Sequence, residues 1–305
     1  MAITPRIHTA VIPAAGQGTR MLPATKSVPK ELLPILDRPA LQLIIDEALG
    51  AGVDHLVIVT SHAKPAIENY FATDLGVESS LEKQGRGVLA DQLRRYRQDV
   101  RVSFAYQDQP RGLGHAVACA REAVGDEAFF VMLPDELMSD SSLLQDLATL
   151  MQSTGVGSVA LKQMPTAELF RYGIVTPVGP ISTADGIDSL PFTKVIEKPN
   201  VADAPSDLAI IGRYALTPDI FDLLDSLEPA LGGEVLLTDA LSAQAVVTPL
   251  HGVISNIGRR DIGNPQGWLE AVIEAGLQHP DFGGSVFATI RALIHQIQGV
   301  AILLR

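Results

Sequence analysis

One cysteine and one tryptophan stand among 305 residues, and aromatic residues make up only 5% of the chain. A lone Cys119 excludes an internal disulfide framework and fits a reducing compartment. No histidine pattern pairs with it, so it reads as a small buried helix residue rather than a nucleophile. Scarce aromatics beside 47% hydrophobic residues imply a core of Val, Ile, Leu and Ala, as in α/β proteins. Basic residues are few as well: 23 Lys and Arg against 35 Asp and Glu give a net charge of −12. That balance argues against a nucleic-acid or anionic-membrane surface, so a phosphate ligand would have to meet cations gathered locally. Uncharged apolar windows of the ~18 residues a membrane span needs are missing too. Val286 to Leu304 comes closest, and Arg291, His295, Gln296 and Gln298 interrupt it. Met1 to Thr9 lacks the apolar stretch of a secretory leader. The expected location is the cytoplasm, with neither nucleic acid nor membrane as partner.

Repeats, low-complexity tracts and long linkers are also missing, which predicts one domain over residues 1–305. Strand-like runs at His8–Ala14, His55–Ser61, Val100–Gln107 and Ala128–Pro134 alternate with helix-like stretches at Leu41–Ala51, Ala63–Phe71, Glu78–Tyr96 and Gly114–Val124. This β-α order predicts an α/β fold with a doubly wound, mainly parallel sheet. Further strands are expected at Val156–Gln163, Tyr172–Pro177, Phe192–Glu197 and Leu208–Leu216, forming an added small β region with turns at Pro177–Pro180 and Ser182–Gly186. Helices return at Pro218–Ser226, Val235–Ala243 and Pro265–Gly276, the first with Thr217 as its expected N-cap. The working division is a first half over about 1–135, a second half over about 136–285, and a packing or oligomerisation segment over 286–305.

The most informative stretch runs from Val11 to Glu31. An apolar strand meets a loop of small residues, Ala14, Ala15, Gly16 and Gly18, followed by Thr19-Arg20 and the cations Lys26 and Lys30. Small residues let backbone N–H groups close on a ligand, and the cations suit a polyphosphate. The pattern is neither G-x-G-x-x-G nor G-x-x-x-x-G-K-[ST], which sets aside a dinucleotide-dependent oxidoreductase and a P-loop enzyme. Asp135 follows the run Phe129–Pro134. A carboxylate at the carboxyl end of a parallel strand either closes a turn or handles ligand. Glu197-Lys198 closes another apolar run, either as a surface ion pair or as a hydroxyl acceptor beside a phosphate donor. Gln107 precedes the loop Pro110–Gly114, and His115 reads as a capping or packing residue at a helix start.

Taken in order, Ala14–Glu31, Gly112–Ala116, Leu133–Asp135, Tyr172-Gly173, Glu197–Pro199, Ile211–Tyr214, Leu237–Asp239 and Asp261–Asn264 resemble the signature of the sugar-nucleotide pyrophosphorylases. Within that nucleotidyltransferase family the chain resembles bacterial UTP–glucose-1-phosphate uridylyltransferases over nearly its whole length. The resemblance implies a Rossmann-like nucleotidyltransferase sheet and the formation of UDP-glucose and pyrophosphate from UTP and glucose 1-phosphate. It implies Mg²⁺ held by Asp135 and Asp261, and catalytic charges on Arg20, Lys30 and Lys198. Ala14, Ala15, Gly16, Gly18, Thr19, Gln107 and Gly112 would bind the nucleotide; Tyr172, Gly173, Glu197 and Glu234 would bind the sugar. A homodimer or homotetramer is implied as well. Another NTP or hexose 1-phosphate, and a non-catalytic sugar-nucleotide-binding paralogue, stay open. Three departures from the family pattern are Gly233 for a usual Asp, Ile262 for a usual Cys and Pro265 for a usual Lys.

Overall fold

In a computed structural model, residues 6–98, 100–230 and 232–303 are described. The first half contains β1 (Thr9–Pro13), β2 (Pro34–Ile35), β3 (Arg38–Pro39), α1 (Ala40–Gly50), β4 (His55–Thr60) and α2 (Pro65–Phe71). It continues through α3 (Leu75–Lys83), α4 (Gly87–Gln98), β5 (Arg101–Tyr106), α5 (Gly112–Ala118), α6 (Arg121–Val124) and β6 (Phe129–Met132). Next come β7 (Glu136–Met138), α7 (Ser142–Thr154), β8 (Ser158–Gln163), β9 (Gly173–Pro177), β10 (Ser182–Ala184), β11 (Ile187–Glu197) and β12 (Leu208–Leu216). The chain ends with α8 (Ile220–Ser226), α9 (Leu237–Val247), β13 (Leu250–Ile254), β14 (Arg259–Asp261), α10 (Pro265–Gln278) and α11 (Gly283–Leu303).

Ten strands form one mixed sheet in the order β10-β11-β13-β8-β12-β6-β1-β4-β5, with β9 against β11 and β12. The expected parallel arrangement holds for β6, β1, β4 and β5. Beyond β6 it gives way, because β12 pairs antiparallel to both β6 and β8. The second-half strands are therefore not a separate small β region; they continue the same sheet. Alternation along the strands feeds two cores. Val11, Val57 and Val131 pack with Val117, Phe221 and Leu241 from α5, α8 and α9. Ala10, Ile12, Ile58 and Met132 pack with Ile44 and Leu147 from α1 and α7.

Several boundaries differ from the sequence reading. The stretch 78–96 is two helices, because Gly85 at φ +73° ends the first. Helix α7 was not expected, although Leu143, Leu144, Leu147, Leu150 and Met151 recur at helical spacing and are buried. Thr217 is not an N-cap: its hydroxyl accepts from Gln244 Nε2 at 2.8 Å, and the helix starts after Asp219. Ile262 packs with Ile35, Ala40 and Ala271. Pro265 occupies the first position of α10, whose cap Asn264 accepts from Gly267 N at 3.0 Å. On α11, Phe287, Leu293 and Ile294 are at least half exposed, so the chain's own core does not cover that face. The side chain of Ile297 and residues 304–305 lie outside the described residues. Among the described residues, no helix is long and apolar enough to cross a membrane.

Candidate functional site

A cleft of about 810 Å³ opens at the carboxyl ends of β1 and β6, where parallel sheets place ligands. Thr19, Arg20, Gly112, Asp135, Tyr172, Gly173, Glu197, Lys198, Glu234 and Asp261 all line it. Residues read from separate motifs over 240 positions of sequence thus meet on one surface. Lys30 stands just behind the lining, its Nζ donating to Asp135 Oδ2 at 2.6 Å. Lys26 is exposed and not part of the lining.

The small-residue loop leaves β1 with Ala14 buried, its N–H donating to Val59 O at 2.7 Å. Gly16 has no neighbour within 4 Å of a would-be Cβ, so a ligand can approach its backbone. Gly18 has φ +65° and begins the 3-10 turn Thr19–Met21. Thr25 Oγ1 donates to its carbonyl at 2.8 Å. From below, Lys64 Nζ donates to Ala14 O at 2.7 Å and to Glu31 Oε2 at 3.0 Å. Burial pushes the Glu31 carboxyl up and the Lys64 ammonium down, and each partner's charge opposes the other's shift. This pair fastens the loop. In sequence Glu31 carries no role of its own, and Lys64 stands in no local motif.

The two carboxylates converge. A Cβ placed on Gly263 would lie 2.7 Å from Asp135 Oδ2, 3.1 Å from Asp261 Oδ1 and 2.7 Å from Arg20 Nη2. Oxygens from two distant segments therefore face one point, while Arg171 Nη2 donates to Asp261 Oδ2 at 2.8 Å. Burial raises the Asp135 carboxyl, but the Lys30 charge and hydrogen bond, with Arg20 beyond, overrule it and hold the group below its ordinary value. Next to it, Glu136 is pushed up to about 7 by burial, against the opposing charge of Arg259, which donates to both its oxygens at 2.6 and 2.7 Å. Two carboxylates suit Mg²⁺, which usually takes one or two and completes its shell with phosphate and water. Among the described residues no group of three or more His, Cys, Asp or Glu could hold a metal by itself. Arg171 and Glu136 were missed in sequence; adjacency to Tyr172 and Asp135 was the only signal.

On the opposite wall, Gly173 is buried where a Cβ would come within 3.0 Å of Thr238 Cγ2 and 3.3 Å of Glu197 Oε2. Only glycine leaves that space for a ligand. Tyr172 stacks under Arg259, whose guanidinium carbon lies 5.1 Å from the ring centroid. Lys198 follows β11 at φ +46°, with its Nζ 3.2 Å from Glu197 Oε1. Gln107 is buried rather than presented on a loop. Its Nε2 donates to Gly112 O at 3.0 Å and lies 2.9 Å from His115 Nδ1. Burial and the charge of Arg111 keep the His115 imidazole pKa low, so it packs as a neutral acceptor. Cys119 is half-buried, and burial pushes its thiol up, away from nucleophilic use. On either side of Gly112, Val235 N donates to Arg111 O at 2.7 Å and Val235 O accepts from Gly114 N at 2.9 Å, which joins the loop after Gln107 to the segment of Glu234.

Residues 9–276 match the nucleotidyl transferase family. The chain is 39% identical to a UTP–glucose-1-phosphate uridylyltransferase of Streptococcus pneumoniae over 283 residues, 91% of this chain and 93% of that one. It is 36% identical to the Bacillus subtilis protein of the same name, over 95% of this chain and 98% of that one. A UTP-bound UDP-glucose pyrophosphorylase structure from Acinetobacter baumannii superposes with a TM-score of 0.84 at 35% identity, over 93% of this chain and 98% of that one. With the cleft and both carboxylates in place, the chain belongs to the nucleotidyl transferase family, among its UTP–glucose-1-phosphate uridylyltransferases.

Proposed function

We propose that the cleft performs uridylyl transfer, converting UTP and glucose 1-phosphate to UDP-glucose and pyrophosphate. The convergence of Asp135, Asp261 and Arg20 on one point carries this reading. A phosphate oxygen of glucose 1-phosphate attacks the α-phosphorus of UTP in line. The bond from that phosphorus to the bridging oxygen breaks, and pyrophosphate leaves with the electron pair. The nucleophile is ionised near neutral pH, so no general base is required, in keeping with a neutral His115. Catalysis rests on positioning and charge. Asp135 and Asp261 would hold Mg²⁺, which when bound neutralises phosphate charge. Arg20 and Lys30 meet the departing pyrophosphate; the Lys30 ammonium has three donors, of which Asp135 takes one. Lys198 serves the two joined phosphates.

In this reading Ala14, Ala15, Gly16, Gly18 and Thr19 present backbone and hydroxyl groups to the nucleotide, while Tyr172, Gly173, Glu197 and Glu234 surround the glucose. The nucleotide half, about residues 1–135, is the Rossmann-like part of the sheet, and the sugar phosphate meets residues of about 136–285. Gln107 reads the base through its carboxamide oxygen, an acceptor for the uracil N3–H, while its nitrogen holds Gly112. The protein works in the cytoplasm as a homodimer or homotetramer. Exposed Leu269, Ile273 and Leu277 on α10, with Phe287, Leu293 and Ile294 on α11, supply an apolar face for self-association.

Pyrophosphate release with a panel of NTPs and hexose 1-phosphates tests the assignment. UTP with glucose 1-phosphate is expected to react fastest. dTTP should trail by about 10–200-fold, since a methyl-sized difference is worth about 1–3 kcal/mol. CTP should fall further behind, because its N3 is an acceptor and leaves Gln107 unpaired. Equal rates with CTP and UTP would contradict the base reading; no release with any pair would leave a non-catalytic binding protein.

A further inference from the structure

Arg213 is fully buried in β12, at 0% exposure. All five of its N–H groups have an acceptor. Nε donates to Glu47 Oε1 at 2.8 Å, and Nη2 donates to Glu47 Oε2 at 2.7 Å and Glu136 O at 2.5 Å. Nη1 donates to Leu133 O at 3.1 Å and Gly212 O at 3.0 Å. Two of these acceptors bracket Asp135. The Leu133 and Glu136 carbonyls stand on either side of it, in a turn closed by Glu136 N donating to Leu133 O at 3.3 Å. Gly212, at φ +76°, bulges β12 toward that turn and accepts from Leu133 N at 3.0 Å.

The same frame reaches the second carboxylate. Glu136 opposes Asp261 in the β7–β14 register, and its side chain holds Arg259 of β14. A turn fixed by Arg213 therefore sets both acids. Glu47, on α1, orients the guanidinium and is itself 4% exposed. Stability alone does not call for such a pair: burying two charges is expensive, and apolar residues of similar volume often hold a core as well or better. What an aliphatic pair would lack is direction, since a planar fork fixes several carbonyls at set angles.

We propose that Arg213, oriented by Glu47, is the positioning residue that sets the separation of Asp135 and Asp261 for the divalent cation, without touching either substrate. The proposal rests on the transfer reading above. Its test compares the wild type with Arg213→Lys, Glu47→Gln and the paired Arg213→Met/Glu47→Leu, using Mn²⁺ as the probe. Free Mn²⁺ is read by electron paramagnetic resonance in the presence of UDP-glucose; kcat and the KM for UTP are measured separately. The paired variant is expected to unfold near the wild-type temperature and to bind UDP-glucose normally without metal. Its Mn²⁺ affinity and kcat are expected to fall about 10–100-fold while KM holds, as for groups that orient metal ligands. Arg213→Lys should not restore affinity, because an ammonium cannot span the Leu133 and Glu136 carbonyls and both Glu47 oxygens. A folded paired variant with wild-type Mn²⁺ affinity would overturn the proposal, as would a rise in KM at constant kcat. If the pair fails to fold, Glu47→Gln decides: weakened Mn²⁺ binding supports the role and unchanged binding refutes it. A wild type that makes no UDP-glucose would refute the transfer reading, while the Mn²⁺ comparison would still report on Arg213.

Discussion

Lys198 sits at φ +46°, a backbone conformation that costs an ordinary L-residue about 1–2 kcal/mol. Such strain persists where surrounding structure imposes it, and here Lys198 N donates to Tyr172 O at 2.9 Å. The side chain is thereby turned to the lip of the cleft beside Glu197. Lys198→Ala is expected to lower kcat/KM by roughly 10²–10³-fold, the loss of one charge-assisted contact to the phosphates in the proposed complex. Lys198→Arg should recover only part, because a fork does not replace a point charge. Initial rates with both variants check this; near-wild-type turnover in the alanine variant would contradict it. Residues such as Lys198, Asp135 and Gly173 were legible in sequence because each stands in a short motif at a strand end. The roles of Lys64, Arg171 and Arg213 were not, although Arg213 stands in the Ile211–Tyr214 motif, because their meaning lies in partners far along the chain: Glu31 and Ala14, Asp261, and Glu47 and Glu136.

Among elements, the loop after β1 and the turn after β6 are tied by Lys30 and Asp135, which are 16% and 18% exposed at their side chains. Because Asp135 is held below its ordinary value of 3.8, it binds fewer protons folded than unfolded. Its pairing therefore stabilises the protein above that value and is lost as the pH falls through and below it. Lys30→Met should cost about 1.5–3 kcal/mol of stability near neutral pH, the size of a hydrogen bond to a charged group. The gap to wild type should close as the pH drops below about 4. Urea denaturation of both proteins across that range is the measurement; a gap independent of pH would contradict the ion pair. The parallel strands and α1 were readable from period and β-branched content. The antiparallel continuation through β12 was not, since strand direction is set by the connections and by which edge remains free. Helix α7 carried its own periodic pattern, lying just after the strongest motif of that region.

At the scale of the molecule, α10 and α11 leave an apolar face in solvent on a chain of net charge −12. Exposed patches of this kind mark contact surfaces. Removing residues 286–305 is expected to lower the number of subunits found by light scattering while leaving the cleft-lining residues in place. A truncated protein of unchanged subunit number and activity would exclude this face from assembly.

The joint action of Asp135 and Asp261 on one transferred uridylyl group is the core of the proposed mechanism. It is tested most directly with UTP labelled at the α-phosphate, incubated with glucose 1-phosphate and Mg²⁺. The wild type should move the label into UDP-glucose and release unlabelled pyrophosphate. Asp135→Asn and Asp261→Asn should each remain folded and transfer no label, because in the proposed site both carboxylates would hold Mg²⁺ beside the phosphates. Label in UDP-glucose at wild-type rate from either variant would contradict the shared site.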